Sequence, residues 1–428
     1  MYTVIMAGGK GTRIASMHPN IPKPMVPICG KPILEHQIEV LRKQGCTNII
    51  LIIGHMGDII REYFGSGEAY GVTIQYIEEK EPLGTAGALY YLKNQIKEDF
   101  LLLNGDIIFD VDLKRMISFH QKASCTATIL THPNSHPYDS AIVLHENSGK
   151  VTGWLAKEET RLYYRNCVNA GIHLFSPSIF DFFTEPKKMD LDRDLLRHLI
   201  AKGLLYAYTS SEYVKDMGTP QRYTEVEADL ISGKVQKQSL HEKQKAFFLD
   251  RDGTVNIAKG FIKRAEDIEL CPGAAEAIKK INANGYLAII VSNQPVIARG
   301  EATFAEVDRM MDKIETLLGE SGAYLNDRFY CPHHPDQGFK GEIAALKIRC
   351  TCRKPAPGLL LMAAEKYNID LTQSYMVGDS QNDIDAGKNA GCQAFLLNNF
   401  NGNSYDYENL LACVNDVLSQ DTQKKGRK

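Results

Sequence analysis

The stretch Phe247-Phe248-Leu249-Asp250-Arg251-Asp252-Gly253-Thr254 constrains this chain more than any other. An apolar run that stops abruptly in acids, Gly and Thr reads as a buried strand breaking into a loop, with both carboxylates at the strand's carboxyl end. Open α/β sheets put their ligands there. Two carboxylates on such a loop can divide a reaction, Asp250 attacking phosphorus while Asp252 passes a proton to the leaving oxygen. An acidic surface turn has the same local composition, because Asp and Gly are common turn residues.

Matching pieces follow in order. Tyr286-Leu-Ala-Ile-Ile-Val291 is a second apolar strand, ending in Ser292, Asn293 and Gln294; Arg353-Lys354-Pro355 supplies cations; Tyr375-Met-Val-Gly378 is a third strand, followed by Asp379 and Asp383. Together these segments resemble the four motifs of the haloacid dehalogenase superfamily of phosphatases, over residues 246 to about 415. The resemblance implies an aspartyl phosphate on Asp250, Asp252 as acid then base, and Ser292 and Lys354 holding the transferring phosphoryl group. It also implies Mg²⁺ on Asp250, the Asp252 carbonyl and Asp379, with Asp383 supporting that shell. Asn293, Arg299 and Arg353 are the implied substrate contacts.

Cys331-Pro-His333-His334 and Cys350-Thr-Cys352 read as C-x-H, sixteen residues, then C-x-C. Three thiolates and one imidazole in two close pairs suit a tetrahedral, structural Zn²⁺. His334 is the other candidate imidazole, one residue along and expected to point away; buried cysteines without a metal are the bland reading. With this loop, D-R-D-G-T, S-N-Q and Ala298-Arg299-Gly300, the half is similar to the D-glycero-D-manno-heptose-1,7-bisphosphate 7-phosphatases. Histidinol-phosphate phosphatases share the zinc idea, generally with a shorter loop. The segment from Thr303 to Leu317, with Glu306 at a capping-box spacing, reads as a packing helix.

In the N-terminal half, Thr3-Val-Ile-Met-Ala7 is a strand that runs into Gly8-Gly9-Lys10-Gly11-Thr12-Arg13. Glycines let backbone N–H groups wrap a polyphosphate, and Lys10 and Arg13 bring charge. No Walker loop and no dinucleotide fingerprint fits, since Ile14 stands where the third Gly belongs. Pro22 and Pro24 stiffen the backbone on either side of Lys23. G-G-x-G-T-R, P-K-P and Gly30-Lys31-Pro32 together resemble the sugar-1-phosphate nucleotidylyltransferases. The resemblance makes Gly8, Gly9, Gly11, Thr12 and Gly84 nucleotide contacts, Asn169 and Gly171 sugar contacts, Asp106 and Asp216 ligands of a second Mg²⁺, Lys23 the neutraliser of the phosphates, and Arg13 the holder of departing pyrophosphate. Thr12-Arg13-Ile14-Ala15-Ser16-Met17 lacks the family's proline. Trp154-Leu155-Ala156-Lys157-Glu158-Glu159 stands where F-x-E-K is usual, with Glu158 as the candidate substitute.

The expected fold is therefore α/β in two domains: a Rossmann-like nucleotidyltransferase fold with a mixed sheet, and a haloacid dehalogenase-like parallel sheet with a zinc loop. The expected boundaries are 1–232, a linker at 233–245, the phosphatase at 246–416 and a disordered tail at 417–428. A chain of 428 residues with 44% apolar content supports two cores. The net charge of −3 with interspersed signs gives no nucleic-acid footprint or basic membrane patch. No signal peptide or membrane-spanning run is read, and the ten cysteines are mostly scattered singly, so a cytoplasmic protein is expected. The expected partners are sugar phosphates and nucleoside triphosphates, with GTP implied by the likeness to mannose- and heptose-1-phosphate guanylyltransferases. A homo-oligomer is one state the sequence allows.

Overall fold

The computed structural model of the protein describes residues 1–9, 18–398 and 404–425. These fall into two compact units, the first made of 1–132, 143–154 and 169–239, the second of 133–142, 155–168 and 240–428.

The first unit carries a nine-stranded mixed sheet among the described residues. Its strands are β1 (Tyr2–Met6), β2 (Asn48–Ile53), β3 (Thr73–Glu78) and β4 (Phe100–Asn104), while Ile107–Asp110 is β5 of a separate ribbon. The sheet continues with β6 (Ala127–His132), β7 (Ile142–His145), β8 (Val151–Leu155), β9 (Val168–Phe175) and β10 (Leu205–Thr209). The order β8-β7-β9-β4-β1-β2-β3, with β6 beside β9 and β10 beside β6, puts β1 at the centre of a parallel β4-β1-β2-β3 block. Strand β9 lies antiparallel to β4, which makes the sheet mixed. Val4, Ile5, Leu51, Leu102 and Leu103 are fully buried. Their continuous apolar runs fit strands covered on both faces, and each buried side chain contributes about 1.5–3 kcal/mol. β11 (Tyr213–Asp216) pairs antiparallel with β5, Asp216 opposite Ile107.

The second unit is built on five parallel strands: β12 (Ala246–Leu249), β13 (Leu287–Asn293), β14 (Asp327–Cys331), β15 (Tyr375–Gly378) and β16 (Gln393–Leu396), in the order β14-β13-β12-β15-β16. The central β12 is Ala-Phe-Phe-Leu with every side chain buried. Residues 304–320 form α1 (Phe304–Glu320), closed by the expected capping box of Thr303 and Glu306. It buries Val307, Met310 and Ile314.

Three expected boundaries need correction. Segments 133–142 and 155–168 belong to the second unit, because Arg165 ion-pairs with Asp327 at 2.8 Å and the Asn166 N–H donates to Glu315 at 2.7 Å. The stretch read as a linker holds a short helix, Lys234–Lys237, and only its part from Leu240 onward joins the second unit. There Leu240 is buried, and Gln244 exchanges backbone hydrogen bonds with Asn368 and Asp370. The tail read as disordered is helical to Lys425, as part of α2 (Leu410–Lys425). Its polar composition concealed the contacts that order it: Val414 and Val417 enter the core, and Asp421 accepts from the Tyr286 and Tyr375 hydroxyls. No helix among the described residues is long and apolar enough to cross a membrane.

Candidate active sites in the two units

At the carboxyl edge of the first sheet lies a cavity of about 830 Å³, lined by Gly8, Gly9, Lys23, Glu79, Gly84, Thr85, Asn104, Asp106 and Gly218 among others. Gly105 lets the β4 turn close on β1: its N–H donates to the Met6 carbonyl at 3.1 Å, and a Cβ there would stand 2.5 Å from that oxygen. Lys23 is held in a short turn between its two prolines, and its ammonium is paired with the Asp106 carboxylate. Asp216 arrives through the β5–β11 ribbon, where the Met217 N–H donates to the Asp106 carbonyl at 2.8 Å. Arg222 meets Asp216 at 2.5 Å, and the Gly218 N–H donates to it at 2.9 Å. Burial alone would push the Asp216 carboxyl up. The Arg222 hydrogen bond and charge outweigh it and hold the group below its ordinary value.

The expected residues are thus partly gathered. Lys23, Asp106, Gly8, Gly9 and Gly84 line the cavity and Asp216 does not, although Gly218, two residues on, does; Lys10, Gly11, Thr12 and Arg13 lie outside the described residues. Asn169 and Gly171 sit on β9 and do not line the cavity. Gly171, at φ +76°, allows a close approach to Asn104, whose amide nitrogen would be 2.6 Å from a Cβ. The Asn169 amide donates toward His173 and Asp192, at 3.2 and 3.3 Å. Glu158 lies in the 155–168 segment of the second unit, exposed beside Lys157 at 3.9 Å, and does not line the cavity. Sequence reasoning passed over Glu79, a half-buried carboxylate of the cavity wall that accepts from the Leu83 N–H at 3.1 Å.

In the second unit the ends of β12, β13 and β15 converge on a cavity of about 280 Å³, lined by Asp250, Asp252, Ser292, Asn293, Arg353, Lys354, Asp379 and Asp383 among others. The buried Lys354 ammonium is the hub, 2.6 Å from Asp250, 2.5 Å from Asp383 and 2.8 Å from the Val291 carbonyl. Asn293 fixes its backbone by donating to the Lys354 carbonyl and accepting from its N–H, both at 3.0 Å. Burial pushes the Asp250 carboxyl above the carboxylate range, against the opposing Lys354 charge. Asp379 is pushed up to about 6 by burial and then by the Asp383 charge. Gly253, at φ +82°, is required here, because a Cβ would stand 2.1 Å from an Asp379 oxygen.

Carboxylate oxygens of Asp250, Asp379 and Asp383 lie within 4.8 Å of one another, an all-oxygen set suited to a hard divalent cation. Asp383 is already committed, one oxygen to Lys354 and the other to the Ser380 N–H and hydroxyl, which suits a supporting role. Arg299 does not line the cavity. It lies between the Phe261 and Phe339 rings, 4.2 and 4.5 Å from their centres, and approaches His334 at 3.4 Å. Asp252 has partners that the sequence reading did not assign: Arg251, Asn256 and Gln294 all donate to its carboxylate. The one available signal was a cation, Arg251, set between the two acids just beyond the apolar strand.

Cys331, His333, Cys350 and Cys352 form a compact tetrad, with sulfur–sulfur distances of 3.3–3.5 Å and the His333 Nδ1 3.4–3.5 Å from two of the sulfurs. The cysteines are free, and a Zn–S bond of about 2.3 Å would set sulfurs ~3.8 Å apart, so the donor set fits a tetrahedral metal. His334 turns away toward Arg299 and Asp336.

Residues 2–233 match the nucleotidyl transferase family model, and residues 143–391 match that of the haloacid dehalogenase-like hydrolases. Mannose-1-phosphate guanyltransferase beta-A of Xenopus laevis is 32% identical over 228 residues, 52% of this chain and 62% of that protein. The mannose-1-phosphate guanylyltransferase of Mycobacterium tuberculosis is 29% identical over 233 residues, 54% of this chain and 64% of that protein. The match therefore spans less than two thirds of the length of these relatives. Among solved structures, HddC from Yersinia pseudotuberculosis is 27% identical with a TM-score of 0.48, covering 54% of this chain and 99% of that one. D,D-heptose 1,7-bisphosphate phosphatase from B. bronchiseptica, solved with magnesium and phosphate, is 30% identical with a TM-score of 0.37, covering 41% and 99%. Each family model covers more than half of the 428 residues, and the chain belongs both to the nucleotidyl transferase family and to the haloacid dehalogenase-like hydrolase family.

Proposed function

We propose that the chain makes a nucleotide-activated heptose in two steps. The second unit removes the 7-phosphate of D-glycero-D-manno-heptose 1,7-bisphosphate, and the first joins the resulting heptose 1-phosphate to GMP from GTP, releasing pyrophosphate. The observation that carries this reading is the metal-ligand tetrad ending at Cys352, directly before Arg353 and Lys354 of the phosphatase cavity. That loop, together with D-R-D-G-T, S-N-Q and A-R-G, is the combination that resembles the heptose bisphosphate phosphatases. The curated relatives of the first unit, named for mannose 1-phosphate and guanylyl transfer, support a sugar 1-phosphate and GTP. Glu79 places a carboxylate acceptor in the cavity wall, which any base edge with an N–H donor can meet, so the choice of GTP rests on those relatives.

In the phosphatase half, an Asp250 oxygen attacks phosphorus and the bond to the sugar oxygen breaks. Asp252 gives that oxygen a proton, then takes one from the water that splits the aspartyl phosphate. Ser292 and Lys354 hold the phosphoryl oxygens. In the transferase half a sugar phosphate oxygen attacks the α-phosphorus, Lys23 neutralises the phosphates in contact and Arg13 receives pyrophosphate. Mg²⁺, on Asp106 and Asp216 in one site and on Asp250, the Asp252 carbonyl and Asp379 in the other, would add positive charge where phosphate oxygens develop negative charge. Cys331, His333, Cys350 and Cys352 would hold a structural Zn²⁺, which would tie down the long loop that leads into Arg353 and Lys354.

The test is to incubate the full chain and Mg²⁺ with each anomer of the heptose 1,7-bisphosphate and each nucleoside triphosphate, reading products by mass. GDP-heptose is the expected product. Phosphate release without a nucleotide sugar would reassign the transferase to mannose or another sugar 1-phosphate, or to a sensing role. No release would redirect the phosphatase to histidinol phosphate.

A further inference from the structure

Arg251 lies between the two acids of the phosphatase loop, in the wall of the cavity, and is 1% exposed. Its Nε and Nη2 each reach the Asp252 carboxylate at 3.0 Å, and Nη2 also lies 2.7 Å from the second oxygen. The third nitrogen, Nη1, faces away toward the Met310 sulfur of α1 at 4.0 Å. The guanidinium is thus packed on one side and forked onto Asp252 on the other, a geometry that fixes direction as well as distance. Asn256 and Gln294 complete the grip with N–H donors at 3.0 and 3.3 Å. The Arg251 carbonyl is held in turn by the Val255 and Asn256 N–H groups, at 3.0 and 2.9 Å.

We infer that Arg251 is a positioning residue for proton transfer, one that aims the Asp252 carboxyl at the leaving oxygen without touching substrate. The inference rests on the proposed role of Asp252 as proton donor and names what orients it. Asp252 has two rotatable bonds and is half-open to the cavity, and a proton donor contributes only when held within hydrogen-bond reach of the oxygen it serves. In the first half-reaction the Asp252 O–H bond breaks and its proton goes to the departing sugar oxygen, while the Asp250 oxygen forms the new bond to phosphorus. A leaving group that departs readily as an anion has little need of that proton.

The experiment compares kcat/KM for two monoesters, an alkyl sugar phosphate and 4-nitrophenyl phosphate, on the same preparations of the full-length wild type, Arg251→Gln, Arg251→Lys and Asp252→Asn. For Arg251→Gln the alkyl ester should lose about 10–100-fold and the nitrophenyl ester less than about 3-fold, with Arg251→Lys between it and the wild type. The ratio of the two esters cancels the fraction of folded enzyme, so partial unfolding does not blur it; if the Gln variant fails to fold, the Lys variant supplies the ratio. Equal losses on both esters would make Arg251 a purely structural residue and overturn the inference. If Asp252→Asn also leaves the ratio unchanged, the reading of Asp252 itself fails, whereas a shifted ratio for Asp252→Asn alone removes only the role of Arg251.

Discussion

Asp216 stands beside Asp106 because the ribbon pairs Asp216 with Ile107 and the Met217 N–H donates to the Asp106 carbonyl at 2.8 Å. Backbone pairing brings two acids from distant parts of the chain together, and each meets its own cation, Lys23 for Asp106 and Arg222 for Asp216.

Lys23→Ala removes the cation nearest the expected phosphates. Pyrophosphate formation from GTP and a sugar 1-phosphate should fall about 10²–10³-fold, the scale of losing one group that stabilises developing charge. The thermal midpoint and phosphate release by the second unit should hold. Near-normal nucleotidyl transfer in this variant would sink the assignment of Lys23.

Chain purified without chelator should carry one zinc, and Cys352→Ser should lose it. The loop between His333 and Cys350 would then be untied from the residues leading into Lys354, so phosphatase kcat/KM should drop at least about 10-fold, the scale of mislaid positioning groups. Pyrophosphate formation should survive. Metal analysis that finds no stoichiometric zinc in the wild type would count against the site.

Much of this was legible in the sequence because it is written locally. Strand-to-loop breaks at Asp250 and Asp379, the strand that ends in Ser292 and Asn293, the capping box at Thr303 and the two close pairs of the tetrad each depend on neighbouring residues, and the structure places them as the sequence implies. What escaped depends on residues far apart in the chain. Arg165 belongs with Asp327, and Asn166 with Glu315, only in three dimensions, while Asp106 and Asp216 are joined in the sequence by the family resemblance alone, since spacing cannot pair them. The helix through Val417 hid behind polar composition, because one buried face suffices to order it.

Arg165, with about a fifth of its side chain exposed, meets the buried Asp327, which also takes Lys366 at 2.7 Å and the Tyr367 hydroxyl at 2.9 Å. Arg165→Ala should destabilise the second unit by about 3–5 kcal/mol, the scale of breaking one side of a buried pair. Burial pushes the Asp327 carboxyl up, but the Lys366 and Arg165 charges outweigh it and hold it at about 2. Its contribution is therefore complete above the unfolded value of about 3.9 and is lost as pH falls from there through about 2. Urea midpoints measured at pH 7, 4, 3 and 2 should decline across that acid window in the wild type and decline less in the variant. A loss below about 1 kcal/mol at pH 7 would reduce the pair to the level of a surface contact.

Gly253→Ala should disable the phosphatase. The left-handed backbone costs a side chain about 1–2 kcal/mol, and the new methyl would meet an Asp379 oxygen. Phosphate release should fall more than about 10-fold, the cost of misplacing a reacting group by an ångström, with nucleotidyl transfer intact. Wild-type phosphatase activity in this variant would show that Asp379 can yield without consequence.

The Arg165–Asp327 pair closes across 162 residues of sequence, and this dictates when the second unit can be completed during synthesis. Arg165 leaves the ribosome long before its acceptor exists, so its guanidinium must stay hydrated until β14 has been made. A gene fragment that starts at Leu240 would encode all five strands of the parallel sheet and still lack Arg165 and Asn166, leaving Asp327 and Glu315 without two of their partners. Dividing the two activities into separate proteins would therefore take more than a single cut in the gene.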